Sequence, residues 1–168
     1  MMKIGLNTNT FAGEQLDVLL PLAKEFGICY LELWGSNLEP NGKKTVNGFA
    51  FSDKNLEKAK KQIEDAGLTV GAISSGLGLD TQMTSDPEAF SKELVATVEA
   101  AAIFGAKIVN HYSDKIQTGT TPEIDRLHQY FDAALARAEE LGIVLALENE
   151  AGDASRTPEK HAGDCQSV

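Results

Sequence analysis

Four times along the chain an amphipathic stretch ends in glycine and an apolar run follows at once. The glycines are Gly27, Gly67, Gly105 and Gly142, and the runs after them read ICYLELW, LTVGAISS, AKIVNHY and IVLALEN. Glycine just past a helix end suits the left-handed cap, which a side chain would penalise. Short runs rich in Ile, Val and Leu have the pattern of parallel strands buried on both faces. The unit recurs every 37 to 40 residues, so it reads as a supersecondary repeat. KIGLNTN near the N-terminus supplies a first strand with no helix before it.

The intervening stretches predict helices. Residues 13–26 place Leu16, Leu19, Leu20 and Ala23 on one face. Ser52 or Asp53 is positioned to cap a helix running through Ala66. Asp86-Pro87 opens a helix to Phe104, with proline in the first turn where its missing N–H does no harm. Thr121-Pro122-Glu123 repeats that device before a helix ending at Leu141, and Thr157-Pro158-Glu159 announces a fifth. No amphipathic period follows it. The order is therefore β-α four times, a fifth strand and a helix start, which makes a parallel α/β protein. Two architectures fit: a doubly wound five-stranded sheet, or the first part of a (β/α)₈ barrel whose full form takes about 250 residues.

In either architecture chemistry collects at the C-terminal ends of the strands. Every strand here finishes polar: Asn7 and Asn9, Glu32, Ser74 and Ser75, Asn110 and His111, then Glu148, Asn149 and Glu150. Five such ends in a row predict a lined pocket. On the fifth strand Val144, Ala146 and Glu148 share one side and Leu145 and Leu147 the other, as a barrel interior against a helix layer requires. Glu148 then points into the pocket, as does Glu32 beside Tyr30. A pocket carboxylate can bind a hard cation or carry a proton, although either glutamate could simply terminate its strand. His111 is a candidate substrate contact, with metal ligation a weaker option and a satisfied histidine at the pocket edge the plain alternative. His128, among Asp125, Arg126 and Gln129, reads as surface, and His161 lies in the tail. Phe11 and Trp34 could stack on a sugar or pack locally.

Composition narrows the field further. The 168 residues are 42% hydrophobic and 24% charged, which excludes disordered and coiled-coil classes. Fifteen basic residues against twenty-five acidic give a net charge of −10, which opposes nucleic acid as a partner. The lysines from Lys54 to Lys61, interleaved with Glu57 and Glu64, read as a solvated helix face. No apolar run is long enough to span a bilayer, and the start does not look like a signal peptide. Two cysteines, Cys29 and Cys165, make no disulfide framework, so a cytoplasmic setting is expected. No G-x-G-x-x-G, Walker loop, G-x-S-x-G or C-x-x-C occurs, and the glycine-rich run from Ser74 to Gly78 is weak by itself.

The segments KIGLNTNTF, LELWG, GLTVGAISS and GIVLALENE resemble the xylose-isomerase-like TIM-barrel family, over residues 3 to 158 in unbroken order. That family includes sugar and sugar-phosphate isomerases and epimerases, with endonuclease IV as a more distant relative. The resemblance implies a divalent-metal-dependent isomerase or epimerase acting through an enediolate, with Mn, Mg, Co or Zn as the metal. It gives Glu148, in the fifth-strand L-E-N motif, the roles of metal ligand and proton-transfer group. Glu32 matches a pocket position, and His111 falls where the fourth strand commonly contacts substrate or metal; Trp34 and Asn7 complete the expected substrate contacts. The family takes its other ligands from strands six to eight, so residues 1–158 read as a TIM barrel truncated after about four and a half of eight units. Residues 159–168 read as an irregular tail that need not be native. The alternatives are a non-catalytic truncated protein that self-associates and a doubly wound small-molecule-binding domain. A sugar is the expected ligand, with neither nucleic acid nor membrane as partner and a homo-oligomer open.

Overall fold

Five short strands form one sheet: β1 (Gly5–Asn7), β2 (Tyr30–Trp34), β3 (Thr69–Ser74), β4 (Ile108–Tyr112) and β5 (Val144–Glu148). The structure, a computed structural model, describes residues 4–11, 13–42, 48–77, 86–112 and 124–148. Side chains 124–126 are outside that description. The strands run parallel in the order β1-β2-β3-β4-β5. This order decides between the two architectures. A doubly wound sheet puts its first strand in the middle, whereas here β1 pairs only with β2 among the described residues. The doubly wound alternative is therefore corrected: sequential parallel order is that of a partial (β/α)₈ barrel.

The helices are α1 (Leu16–Glu25), α2 (Leu56–Asp65), α3 (Pro87–Phe104) and α4 (Ile124–Leu141), with 3₁₀ turns at Thr8–Phe11 and Gly35–Asn37. They pack on one face of the sheet. Leu31, Leu33, Val70, Ile73 and Val109 from the strands share a core with Leu19 and Ala23 of α1, Ile63 of α2, Leu94 and Val98 of α3, and Tyr130 and Ala134 of α4. Leu145 and Leu147 pack against the same core. The alternate strand residues face away from every helix.

Local signals behave as their chemistry requires. Gly27, Gly67, Gly105 and Gly142 all have positive φ, between 62° and 74°. Asp86 accepts a hydrogen bond from Ala89 N and caps α3, with Pro87 in the first turn. The cap of α2 is corrected from Ser52 or Asp53 to Asn55, whose side chain accepts from Lys58 N. Asp53 is instead buried in an ion pair with Lys54 at 3.3 Å, and this segment is tied back by Asn41 N donating to Asp53 O and Asn55 N to Glu39 O. Lys54 thus leaves the solvated lysine face, while Lys60–Glu64 and Lys61–Asp65 keep their i,i+4 pairing on it. The Thr121-Pro122-Glu123 and Thr157-Pro158-Glu159 starts, and the 159–168 tail, lie outside the described residues.

Candidate functional site

A row of polar side chains crosses the helix-free face. Asn7 Nδ2 donates to Glu32 Oε2 at 3.1 Å, and Asn110 Nδ2 donates to Glu148 Oε2 at 2.6 Å and to Glu32 Oε1 at 3.4 Å. Four strands contribute, and alternation explains why. Asn7 is the register partner of Glu32, Asn110 of Ala146, and Glu148 of Tyr112. All have the parity opposite to the leucines and valines in the core.

The strand in between, β3, makes room. Its pairing with β2 slips by one residue, so that Leu31 meets Val70 but Glu32 meets Ala72, with Gly71 as the extra residue. This bulge keeps Ile73 in the core and turns Ala72 and Ser74 toward the row. Beside Glu32 stands only a methyl group, and the carboxylate can reach Asn110 across β3.

Above Glu32 lies an aromatic cluster. Trp34 is buried, its ring edge-on to Phe49 at 5.5 Å and tilted against Tyr112 at 6.5 Å. Its backbone N–H donates to Thr8 Oγ1 at 3.0 Å. Trp34 Nε1 and Ser74 Oγ, on register-paired residues, are both buried without a hydrogen-bond partner among the described residues. Phe49 rests on two glycines. A Cβ at Gly35 would lie 2.1 Å from Phe49 O, and one at Gly76 would lie 2.7 Å from the Phe49 ring carbon Cγ. The glycine of the Ser74–Gly78 run that the structure describes thus seats an aromatic side chain at the strand ends.

Each expected residue can now be placed. Asn7, Glu32 and Glu148 come together, and Trp34 sits on the same face with its ring covered. The expectation that His111 faces the pocket is corrected, because it points the other way. It is 1% exposed, its ring packed edge-on to Phe90 of α3 at 5.5 Å and Phe131 of α4 at 5.0 Å. His111 Nδ1 shares a hydrogen bond of 2.7 Å with Ser75 Oγ, which also accepts from Leu77 N. Burial in this apolar setting pushes the imidazole pKa down to about 3. Its neighbour Asn110 occupies the pocket position. The signal was present in the alternation, since Val109 and His111 share one parity while Ile108, Asn110 and Tyr112 share the other. Phe11 is half-buried against the core, His128 is exposed and pairs with Asp132, and Asn149, Glu150 and His161 lie outside the described residues.

The donor set suits a hard divalent cation in kind, since Glu32 and Glu148 present carboxylate oxygens near one point. It is smaller than a complete site: no group of three or more His, Cys, Asp or Glu side chains converges among the described residues. None of the described helices is long and apolar enough to cross a membrane.

Comparison with known proteins agrees with this fold. No curated protein sequence matches the chain. Among solved structures it is similar to an L-ribulose 3-epimerase, with 20% identity and a TM-score of 0.69 over 99% of this chain and 57% of that one. A xylose isomerase-like TIM barrel protein from Mycobacterium smegmatis, in complex with magnesium, superposes with 17% identity and a TM-score of 0.67, over 99% of this chain and 62% of that one. A sugar phosphate isomerase/epimerase from Parabacteroides distasonis gives 19% identity and a TM-score of 0.58, over 86% of this chain and 50% of that one. The chain therefore spans between half and two thirds of the length of these structures. A sequence profile of the xylose isomerase-like TIM barrel matches residues 20–167, most of the chain, and the chain belongs to that family.

Proposed function

We propose that this chain forms the substrate face of a divalent-metal-dependent sugar or sugar-phosphate isomerase/epimerase that works through an enediolate. The observation that carries this reading is the pair of carboxylates, Glu32 and Glu148, held by one amide at the strand ends of a xylose isomerase-like barrel. Moving a carbonyl along a sugar, or inverting the carbon beside it, requires removal of a proton next to that carbonyl. A carboxylate within reach of that carbon can take the proton and return it. Glu148 would hold a divalent cation, which supplies positive charge that stabilises the enediolate oxygens. Glu32 and Asn7 would bind sugar hydroxyls, and Trp34, packed against Phe49 and Tyr112, would back the sugar pocket on the strand-end side. The names of the similar structures, two of them an epimerase and an isomerase/epimerase, support the reaction class. A small sugar is then the ligand. The net charge of −10 disfavours nucleic acid, and the exposed free thiol of Cys29 suits a cytoplasmic setting.

The test is solvent deuterium incorporation beside the carbonyl of ketoses and ketose phosphates, followed by NMR with Mn²⁺ or Mg²⁺ present. Exchange is expected once strands like those of the longer similar structures complete the barrel around this chain, and should fall by about 100-fold or more in Glu148→Gln. No exchange with any sugar in the completed barrel would overturn the reading. A second reading, a non-catalytic protein that self-associates, is favoured by one observation. Ile4, Ile108 and Val144 are 65%, 43% and 61% exposed, and the last two are register partners on the helix-free face. Concentration-dependent dimers on sizing chromatography, without sugar exchange, would select it.

A further inference from the structure

We infer that Asn110 is the positioning residue of this site: its single amide nitrogen ties Glu32 and Glu148 into one unit, so that both carboxylates address the same ligand. Three features carry this. First, one Nδ2 atom donates to Glu148 at 2.6 Å and to Glu32 at 3.4 Å, and an amide nitrogen has two hydrogens to give. Second, the two glutamates belong to strands that do not touch, β2 and β5, so no direct backbone pairing joins them. Asn110, on β4, reaches both. Third, β3 between them is cut down to Ala72 beside Glu32, with Gly71 taken up in the bulge, so nothing bulky blocks the reach.

The residue type matters as much as its place. A lysine here would neutralise one carboxylate and occupy the space a cation needs. An aspartate would repel both glutamates. An amide donates to each and adds no charge, so the pair keeps its full negative charge for a ligand. Asn7 repeats the device from the other side, donating to the second oxygen of Glu32 at 3.1 Å. The inference rests on Glu32 and Glu148 being the working carboxylates of the proposed site, but its tests do not use turnover.

The first test is spectroscopic. In the uniformly ¹⁵N-labelled full chain, the side-chain amide signals of Asn110 are assigned by their loss in Asn110→Ser. They should then move in both Glu32→Gln and Glu148→Gln. Movement in only one variant, or in neither, overturns the bridge. The second uses Mn²⁺ alone, followed by electron paramagnetic resonance. Asn110→Asp places a third carboxylate between the two glutamates and should bind Mn²⁺ about tenfold or more tightly than the native chain. That gain should disappear in Asn110→Asp/Glu32→Gln and in Asn110→Asp/Glu148→Gln. Unchanged Mn²⁺ affinity in Asn110→Asp, or a gain that survives loss of either glutamate, overturns the inference. The amide signals decide the matter on their own if Asn110→Asp does not fold. Absence of sugar exchange with the bridge intact would count against the proposed reaction only, and exchange without the bridge against Asn110 only.

Discussion

Asn110 and His111 are adjacent in sequence and do opposite things. One faces the carboxylates across the open side of the sheet, and the other is sealed between Phe90 and Phe131 against the helices. Their chemistry misleads, because histidine is the richer functional group and draws attention to the wrong face. His111 is a structural liability at low pH. Its pKa falls from 6.5 to about 3 on burial, so the folded state holds it neutral while the unfolded chain protonates. The stability it permits is fully present above pH 6.5 and is lost as pH falls from there toward 3. Urea unfolding at pH 7.5 and pH 5.0 should show this loss, with a contribution of at most about 1.4 kcal/mol per pH unit from one proton. His111→Gln should remove that component of the pH dependence while lowering stability at pH 7.5.

The elements were legible wherever a local rule acts alone. Asp86-Pro87 starts α3, and the four glycines end helices with positive φ. Asp86→Ala should cost about 1 kcal/mol in chemical denaturation, because Ala89 N loses its acceptor. Where a rule competes with tertiary contacts, the sequence misleads. Asp53 has good capping chemistry, but its backbone carbonyl is held by Asn41 N and its side chain is buried beside Lys54, which leaves the cap of α2 to Asn55. Gly76 shows the same dependence from the other side. Its φ of +62° and the Phe49 ring against it make it irreplaceable for reasons that need both partners in view. Gly76→Ala should cost about 2 kcal/mol or more and loosen the packing of Trp34 against Phe49, read as a change in tryptophan fluorescence.

For the whole molecule, strand order has consequences beyond classification. β3 is paired on both sides, whereas β1 and β5 are each paired on one side among the described residues. Amide hydrogen exchange should therefore be slowest in β3 and fastest in β1. Equal protection of β1 and β3 that appears only at high protein concentration would show that a second copy covers the edge, in line with the self-associating reading.

The repeat, the parallel α/β class and the polar strand ends follow from the sequence by itself. They depend on short-range rules: period, glycine caps and prolines in first turns. Glu148 was visible for the same reason, as a carboxylate on the small-residue side of its strand, and Glu32 as one that alternates with Leu31 and Leu33. Strand order, the bulge at Gly71 and the partners of each carboxylate were decided only by the tertiary structure. Asn7, Glu32, Asn110 and Glu148 lie far apart along the chain, and nothing local links them. They meet because parallel register sets which residues of different strands stand level, and a one-residue slip in β3 determines which of them can reach across it.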